Sequence, residues 1–401
     1  MQEGIGLIPF FNLSTFIFHF KLSSLNIKLN IMVDWNEIRK EFPVCEKYVY
    51  LNPAGGSPVS KSAADEGKRF YDEMLEFGDT YWETWLERTE KTRLALAKFI
   101  GADRSEIGFT TNTSHGMNLV AQFLKDKGPI LTMRDEFPST TFPWLNQGTE
   151  IKFVESSNYG YSIKNIEKTL TPDIKILVTS YVQYCTGFRQ DLEALGKFCK
   201  ENDLIFVVNA TQALGIFPVD VKKCNIDFLM FTGLKWATAG YGIGGLYVNQ
   251  KWLSPENFPF AGWRSVEIPE KMDNITMELK NEASVIESGC PHFPPIFALG
   301  GALNLFNQIG QENIMNRVLS LNRILEEKLK KLGVEVIAQK KDKHRSGILI
   351  AKIPNPKKVV GKLFEKNIIV SARGEGVRIS NSIFNNEEDI EKLIGALKEM
   401  I

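Results

Sequence analysis

Short apolar runs alternate with amphipathic segments between about residues 60 and 250. The apolar runs are rich in Ile and Val, which favours buried β-strands. The predicted strands are Pro129–Met133, Ile151–Glu155, Lys175–Ser180, Leu204–Asn209, Ile226–Phe231 and Gly244–Asn249. Helical patterns such as Thr113–Lys127 and Asp191–Asn202 lie between them. This alternation predicts an α/β fold with a mostly parallel sheet and helices on both faces, in which ligands bind at the carboxyl ends of the strands.

The pattern changes near Trp252, where stretches rich in Pro and Gly begin. A long helical pattern follows over Ile296–Leu332, and a final helix places Ile390, Leu393, Ile394, Leu397 and Ile401 on one face. The strands predicted between these helices are Gly347–Ile353, Ile368–Ser371 and Gly376–Ser380. We therefore expect an N-terminal arm over residues 32–58 that contributes to the small domain, a large domain over 59–285 and a smaller α+β domain over 286–401.

The first 31 residues contain an apolar segment at residues 5–20. This segment is short for a membrane span and includes Asn12, Ser14 and His19. It lacks the basic region and the cleavage site of a signal peptide. Because the globular pattern begins at Met32, we expect residues 1–31 to be an upstream extension that is not part of the native protein, with an interfacial or membrane anchor as the alternative.

The composition is that of a globular protein, with 43% hydrophobic and 24% charged residues. Lys and Arg together number 48, as do Asp and Glu, so the formal net charge is zero. A zero balance argues against binding of nucleic acid through a broad basic face. The chain has 5 cysteines, too few for a disulfide framework, which indicates a reducing compartment and predicts the cytoplasm.

A candidate anion site lies where an apolar run ends at Thr110 and a helical pattern begins. Asn112 or Thr113 is a natural N-cap, and free backbone N–H groups at a helix start attract anions. The hydroxyl groups of Thr113 and Ser114 would add donors to a phosphate. An ordinary capped helix would have the same pattern.

Three further motifs combine polar chemistry with an apolar setting. Asn209 ends a buried strand, and Gln212 follows it, although a helix cap would also explain this pair. Lys235 lies beside Trp236 in a glycine-rich stretch, where burial would lower its pKa and permit a Schiff base, unless it is a surface lysine. Arg378 lies in a short β run and could bind a carboxylate, or else form a structural salt bridge.

Taken together and in this order, these motifs resemble the class V aminotransferase family of fold-type I pyridoxal-phosphate enzymes. The resemblance runs from Tyr50 to Asn385. Relatives in this family include cysteine desulfurases, isopenicillin N epimerase and kynureninase. The sequences VQYCTG at 182–187 and FPS at 137–139 resemble the kynureninase branch most.

The resemblance implies a residue-by-residue reading of the cofactor site. Lys235 matches the lysine that bonds pyridoxal 5'-phosphate and later moves the substrate's α-proton. Thr113 and Ser114 match the phosphate-binding pair, assisted by Thr232. Phe137 matches the aromatic residue that stacks on the pyridine ring.

The remaining matches concern the ring edge, the substrate and a second subunit. Ser180 and Gln212 match side chains that contact the ring or its 3-hydroxyl group. Arg378 matches the arginine that receives the substrate carboxylate. Trp263, and the turn that contains Cys290, match segments that reach the partner's site, so the resemblance implies a homodimer with shared active sites.

Four positions depart from the family pattern. Asn209 stands where the family usually has an aspartate paired with the pyridine nitrogen, so the ring should be a weaker electron sink. Leu234 replaces a His or Tyr, and Cys290 replaces a Thr, which removes familiar phosphate donors. His115 stands where relatives often have an acidic residue, and we expect it to lie on a helix surface.

The resemblance implies an enzyme that acts on an amino acid through an external aldimine, and transamination is the expected reaction. The alternatives are a kynureninase-like or β-eliminating lyase and an amino-acid epimerase. A degenerate relative that only binds the cofactor is the non-enzyme alternative, motivated by Asn209. The expected partner is a small amino-acid substrate, without nucleic acid or membrane.

The cysteine and histidine positions disfavour two other chemistries. No Cys occurs between Pro291 and Ile401, where cysteine desulfurases need a mobile cysteine. His292 and His344 have no partners at metal-ligand spacing, so we expect no metal.

Overall fold

The computed structural model describes residues 33–254 and 258–401. Its α-helices are α1 Trp35–Lys40, α2 Lys61–Phe77, α3 Trp82–Ile100, α4 Thr113–Phe123, α5 Pro138–Asn146, α6 Ile163–Thr169, α7 Leu192–Glu201, α8 Phe293–Ile309, α9 Gln311–Lys331, α10 Pro356–Glu365 and α11 Glu387–Lys398. Its strands are β1 Val49–Tyr50, β2 Ile107–Thr110, β3 Ile130–Met133, β4 Ile151–Val154, β5 Ile176–Ser180, β6 Ile205–Asn209, β7 Phe228–Thr232, β8 Gly244–Val248, β9 Glu335–Ile337, β10 Ile348–Lys352, β11 Ile368–Ile369, β12 Ser371–Arg373 and β13 Gly376–Ser380.

A seven-stranded sheet has the order β2-β8-β7-β6-β5-β3-β4. Strand β8 is antiparallel to its neighbours β2 and β7, and the pairs between β7 and β4 are parallel. Every residue of β3, β5, β7 and β8 is buried, because helices cover both faces of a parallel sheet. This burial on both faces explains why the strands are continuous apolar runs, and it confirms the predicted mostly parallel sheet.

The strand order places the ends of several parallel strands at one edge of the sheet. Ser180 and Asn209 are paired at the ends of β5 and β6, and Thr232 ends β7. Helix α4 packs on the sheet through Met117 and Val120, which belong to the same buried cluster as Val207. The start of α4 is thereby held near these strand ends.

A second buried cluster forms around a four-stranded antiparallel sheet with the order β12-β13-β10-β9. It includes Leu325 of α9, Leu349 of β10, Val377 of β13 and Leu393 of α11. A separate two-stranded parallel sheet pairs Val49 of β1 with Ile368 of β11, which connects the N-terminal segment to this part of the chain. The exact domain boundaries stay a prediction.

The stretch predicted to be helical over Ile296–Leu332 is helical in the structure, but it is divided into two helices, α8 and α9. Gly310 separates them with a φ of 86°, a left-handed conformation that a helix cannot contain. The final helix α11 ends at Lys398, so Ile401 does not extend its apolar face and is exposed. The predicted helix at Thr113–Lys127 ends earlier, at Phe123.

The prediction for residues 1–31 lies outside the described residues. Within 33–254 and 258–401, no helix combines the length and the apolar character needed to cross a membrane.

Candidate active site

A cavity of about 430 Å³ opens at the carboxyl ends of the parallel strands. It receives side chains from the ends of β5, β6 and β7, from the start of α4 and from strands β12 and β13. The lining includes these sequence-predicted residues: Thr113, Ser114, Phe137, Ser180, Asn209, Gln212, Thr232, Lys235 and Arg378. Other surface cavities have similar or larger volumes, so it is the chemistry of this lining that distinguishes it.

Two predicted site residues lie elsewhere. Trp263 lines a cavity formed by residues 261–278, and Cys290 lines another beside Gly289 and His292. The resemblance assigns both residues to a partner's site, and that assignment stays a prediction.

Lys235 lies just after β7, in a turn that brings its amine into the cavity. The turn is tight at Gly233, where a β-carbon would lie 2.5 Å from Cγ2 of Ile243, and its N–H donates to the Ile243 carbonyl. The Lys235 amine lies 5.5 Å from the centre of the Phe137 ring. Among the described residues it has no hydrogen-bond or ion-pair partner, and no Asp or Glu lines the cavity.

The environment of this amine disfavours its charged form. Burial, together with the positive charges of Arg378 and Arg373, lowers the pKa of Lys235 to about 7. A lysine with an ordinary pKa is almost fully protonated at neutral pH, and a protonated amine is not a nucleophile. Lys235 can therefore act both as a nucleophile and as a proton acceptor near neutral pH.

The start of α4 provides a candidate anion site. Asn112 caps this helix, because its side-chain oxygen accepts a hydrogen bond of 2.9 Å from the His115 N–H. The hydroxyl groups of Thr113 and Thr211 share a hydrogen bond, and Ser114 is exposed at the cavity. Free N–H groups of the first turn and these hydroxyls together suit an anion such as a phosphate. His115 is exposed on α4, as expected.

Asn209 is held at the end of β6 by two hydrogen bonds. Its Nδ2 donates to Oγ1 of Thr140 at 2.9 Å, and its Oδ1 accepts from the Thr211 N–H at 3.0 Å. The side chain is only 3% exposed. Its position in the cavity is therefore fixed, while its amide carries no charge.

Gln212 connects three parts of the cavity wall. Its Nε2 donates to the Ala54 carbonyl at 3.0 Å, and its Oε1 accepts from Nε1 of Trp236 at 2.8 Å. Ala54 of the N-terminal segment and Trp236, next to Lys235, are thus hydrogen-bonded to the same side chain.

The structure also contains a buried carboxyl group that the sequence reading missed. Glu136 accepts hydrogen bonds of 2.7 Å from the Ser180 N–H and from Nε2 of Gln183, and it bonds the Ser180 hydroxyl. Burial raises the pKa of Glu136, and these hydrogen bonds oppose that shift. Glu136 thereby fixes the rotamer of Ser180 at the cavity wall. The sequence signal for this carboxyl group was an acidic residue directly before Phe137. Its role could not be read locally, because its partners Ser180 and Gln183 lie more than 40 residues further along the chain.

Arg378 has the position expected of a residue that binds an anion. Its Nε donates to Oγ of Ser371 at 3.2 Å, and its Nη1 donates to the Tyr184 carbonyl at 3.2 Å. Burial, with a smaller contribution from the positive charge of nearby Arg373, lowers the pKa of Arg378 to about 10. Within residues 33–254 and 258–401 no carboxylate pairs with it, which argues against the alternative of a structural salt bridge.

The family model described as Aminotransferase class-V matches residues 49–393, which include the whole cavity lining. The chain belongs to the class V aminotransferase family. Membership agrees with the resemblance read from the order of the motifs.

Individual relatives within the class V family carry several names. A probable cysteine desulfurase of Pyrococcus abyssi is 28% identical over 394 residues, which cover 91% of this chain and 97% of that protein. A kynureninase of Bacillus thuringiensis is 24% identical over 394 residues, covering 91% of each protein. Among solved structures, a C-DES variant with glycine covalently linked to its PLP cofactor has a TM-score of 0.83 at 21% identity, covering 90% of this chain and 99% of that one. The last similarity confirms the predicted fold class.

Proposed function

We propose that this class V family member is a pyridoxal-phosphate enzyme that transfers the amino group of an amino acid to a 2-oxo acid. The observation that carries the proposal is Lys235, whose amine lies in the cavity, has no carboxylate partner among the described residues and has a pKa lowered to about 7. Burying a lysine without a partner costs stability. Such a cost is understandable where the amine takes part in chemistry.

The residues present fit the cofactor. The start of α4, with Thr113 and Ser114, suits the phosphate, with Thr232 nearby in the lining. The Phe137 ring, 5.5 Å from the Lys235 amine, suits the face of a pyridine ring. Pyridoxal phosphate, when bound, withdraws electrons from the substrate carbon next to the amino group.

The protein's own side chains supply the remaining requirements. The Lys235 amine can accept a proton from the substrate and return it, because a pKa near the working pH suits both steps. The guanidinium of Arg378 can bind the substrate carboxylate with paired, charge-assisted hydrogen bonds. Glu136 and Gln212 act as positioning residues, because they hold Ser180 and the Lys235 turn.

A lyase is the second candidate, because relatives of this chain are named kynureninase and probable cysteine desulfurase. Desulfuration through a thiol of this chain has little support, since none of its cysteines lines the cavity. Burial also raises the pKa of Cys185 to about 12, so that thiol is a poor nucleophile at neutral pH.

Product analysis tests the proposal. The holoenzyme is incubated with single amino acids, with and without a 2-oxo acid, and the products are separated by chromatography. Transamination predicts a new amino acid formed in step with the oxo acid consumed, with no free ammonia. A lyase instead releases a side-chain fragment even when no 2-oxo acid is added.

Two variants make the test specific. Lys235→Ala should abolish turnover, while Lys392→Ala, at an exposed lysine of α11 that pairs with Glu388, should leave it unchanged. A lyase pattern alone, or the absence of both product patterns with every amino acid tested, would contradict the proposed function.

We further propose a homodimer in the cytoplasm. A run of exposed apolar side chains supports the dimer: Phe260, Trp263, Ile268, Met272, Ile275 and Met277. The free state of all five cysteines agrees with a reducing compartment.

A further inference from the structure

The cavity contains a second guanidinium group, Arg373, beside Arg378. Strands β12 and β13 are antiparallel, and Ser371 is the partner of Arg378 in their register. Arg373 lies two residues after Ser371, so it shares a face of the sheet with Arg378. The positive charges of both arginines also lower the pKa of Lys235. The strand pairing therefore places two fixed positive charges at one cavity.

The charge of Arg373 is not balanced within the described residues. Its Nη1 donates a hydrogen bond to the carbonyl of its own neighbour, Ala372, at 2.9 Å. The nearest acidic residue in sequence, Glu375, is engaged elsewhere, since it accepts from the Tyr159 hydroxyl at 3.0 Å and pairs with Lys352 at 3.2 Å. In the part of the chain that the structure describes, no Asp or Glu lines the cavity. An anion that enters would thus meet Arg373 without competition from a neighbouring carboxylate.

The two arginines differ in depth and in freedom. Arg378 is 3% exposed and is held by Ser371 and Tyr184, whereas Arg373 is exposed. A planar guanidinium can bind one carboxylate through two parallel hydrogen bonds, so a single α-carboxylate is satisfied by Arg378 alone. Arg373 is then left for an anion at the outer end of the bound molecule.

We propose that Arg373 binds an acidic group on the substrate's side chain, so that the substrates are amino acids with an anionic side chain. This inference rests on the proposed function, because it takes Arg378 to hold the α-carboxylate. A carboxylate, a sulfinate or a phosphate on the side chain meets the same requirement. The alternative arrangement, in which both arginines share the α-carboxylate, gives no preference for an acidic side chain.

Pairs of nearly isosteric amino acids test this proposal. Dissociation constants are measured from the change in cofactor absorption when the holoenzyme is titrated with aspartate or asparagine, and with glutamate or glutamine. For the better-fitting pair we expect the acidic member to bind about 10- to 100-fold more tightly, as expected for one charge-assisted contact. Arg373→Gln should bring acidic and amide members to within about twofold of each other and leave amide binding unchanged, whereas Arg373→Lys should retain part of the preference.

A surface arginine serves as the matched control. Arg323→Gln removes a half-exposed arginine that pairs with Asp342, outside the cavity, and should leave every constant unchanged. The proposal is overturned if the wild type binds acid and amide equally, or if Arg373→Gln weakens both members to the same degree, as shared binding of the α-carboxylate requires.

The outcomes separate this proposal from the proposed function. A holoenzyme that shows a cofactor band dependent on Lys235 but no acidic preference retains the proposed function and overturns the role of Arg373. A protein without such a band overturns both.

Discussion

At Lys235, the cavity removes water from the amine, and two guanidinium groups oppose its positive charge. Both effects favour the neutral form, which is the form that attacks an aldehyde. A lowered lysine pKa therefore means that reactivity rises as pH increases through about 7 and is constant above that range.

This gives a pH prediction. The rate constant for capture of pyridoxal phosphate by the apoprotein, followed by stopped-flow absorption, should rise with pH with a midpoint of about 7. An ordinary lysine would give a midpoint above about 10. A measured midpoint above about 9 would contradict the geometry of an enclosed amine, and Lys235→Ala provides the baseline without capture.

A second residue-scale prediction concerns Asn209. Its amide is fixed by hydrogen bonds to Thr140 and to the Thr211 N–H. An aspartate at this position would still accept from the Thr211 N–H, and its second oxygen would accept a hydrogen bond from the Thr140 hydroxyl. The added negative charge should stabilise a protonated pyridine nitrogen. We expect Asn209→Asp to accelerate exchange of the substrate's α-hydrogen for solvent deuterium, measured by NMR, by at least roughly tenfold.

The control for this variant adds a charge far from the cavity. Asn202→Asp changes an exposed residue at the end of α7 and should leave the exchange rate unchanged. An Asn209→Asp protein that exchanges no faster than the wild type would show that Asn209 does not limit this step.

The sequence predicted the residues whose local setting is distinctive, and the structure brings them to one cavity. Lys235, Thr113 and Arg378 each follow or lie within a recognisable strand or helix start. Glu136 and Arg373 were missed because their significance depends on contacts between distant segments. Glu136 is defined by its bonds to Ser180, and Arg373 by the pairing of β12 with β13.

At the scale of elements, strands that are buried on both faces were predictable, because each is a continuous apolar run. The break between α8 and α9 was not, because apolar residues continue on both sides of Gly310 and a glycine is tolerated inside a helical pattern. The left-handed backbone at Gly310, which ends one helix and precedes the next, is therefore seen only in the structure.

Two glycine substitutions test this account of the helices. Gly310→Ala should lower the free energy of unfolding by about 1–2 kcal/mol, because φ is 86° there and a β-carbon disfavours that conformation. Gly361→Ala, within α10 and with nothing within 4 Å of the added carbon, should raise it by about 0.5–1 kcal/mol. Urea unfolding measures both, and equal effects of the two substitutions would contradict the assigned backbone.

At the scale of the whole molecule, the proposed dimer explains the exposed apolar side chains of residues 260–277. The wild type should sediment at twice the chain mass of 45.4 kDa. Ile275→Asp, at a side chain that is 89% exposed, should give monomers and weaken cofactor retention, since a charge in an apolar interface is costly. Analytical ultracentrifugation measures the mass, and absorption measures the cofactor retained.

The matched control is Phe364→Asp, which changes an exposed apolar residue of α10 and should leave the dimer intact. A monomeric wild type would remove the proposal of shared sites. An Ile275→Asp protein that stays dimeric would place the interface on another surface.

The central claim, that Lys235 bonds the cofactor, is tested most directly by borohydride reduction of the purified holoprotein followed by peptide mass spectrometry. We predict a visible absorption band that reduction removes, and the cofactor mass on the peptide that contains Lys235. Lys235→Ala should lack both the band and the modified peptide. A wild type without a band after addition of pyridoxal phosphate, or a cofactor attached to another lysine while Lys235→Ala keeps the band, would contradict the claim.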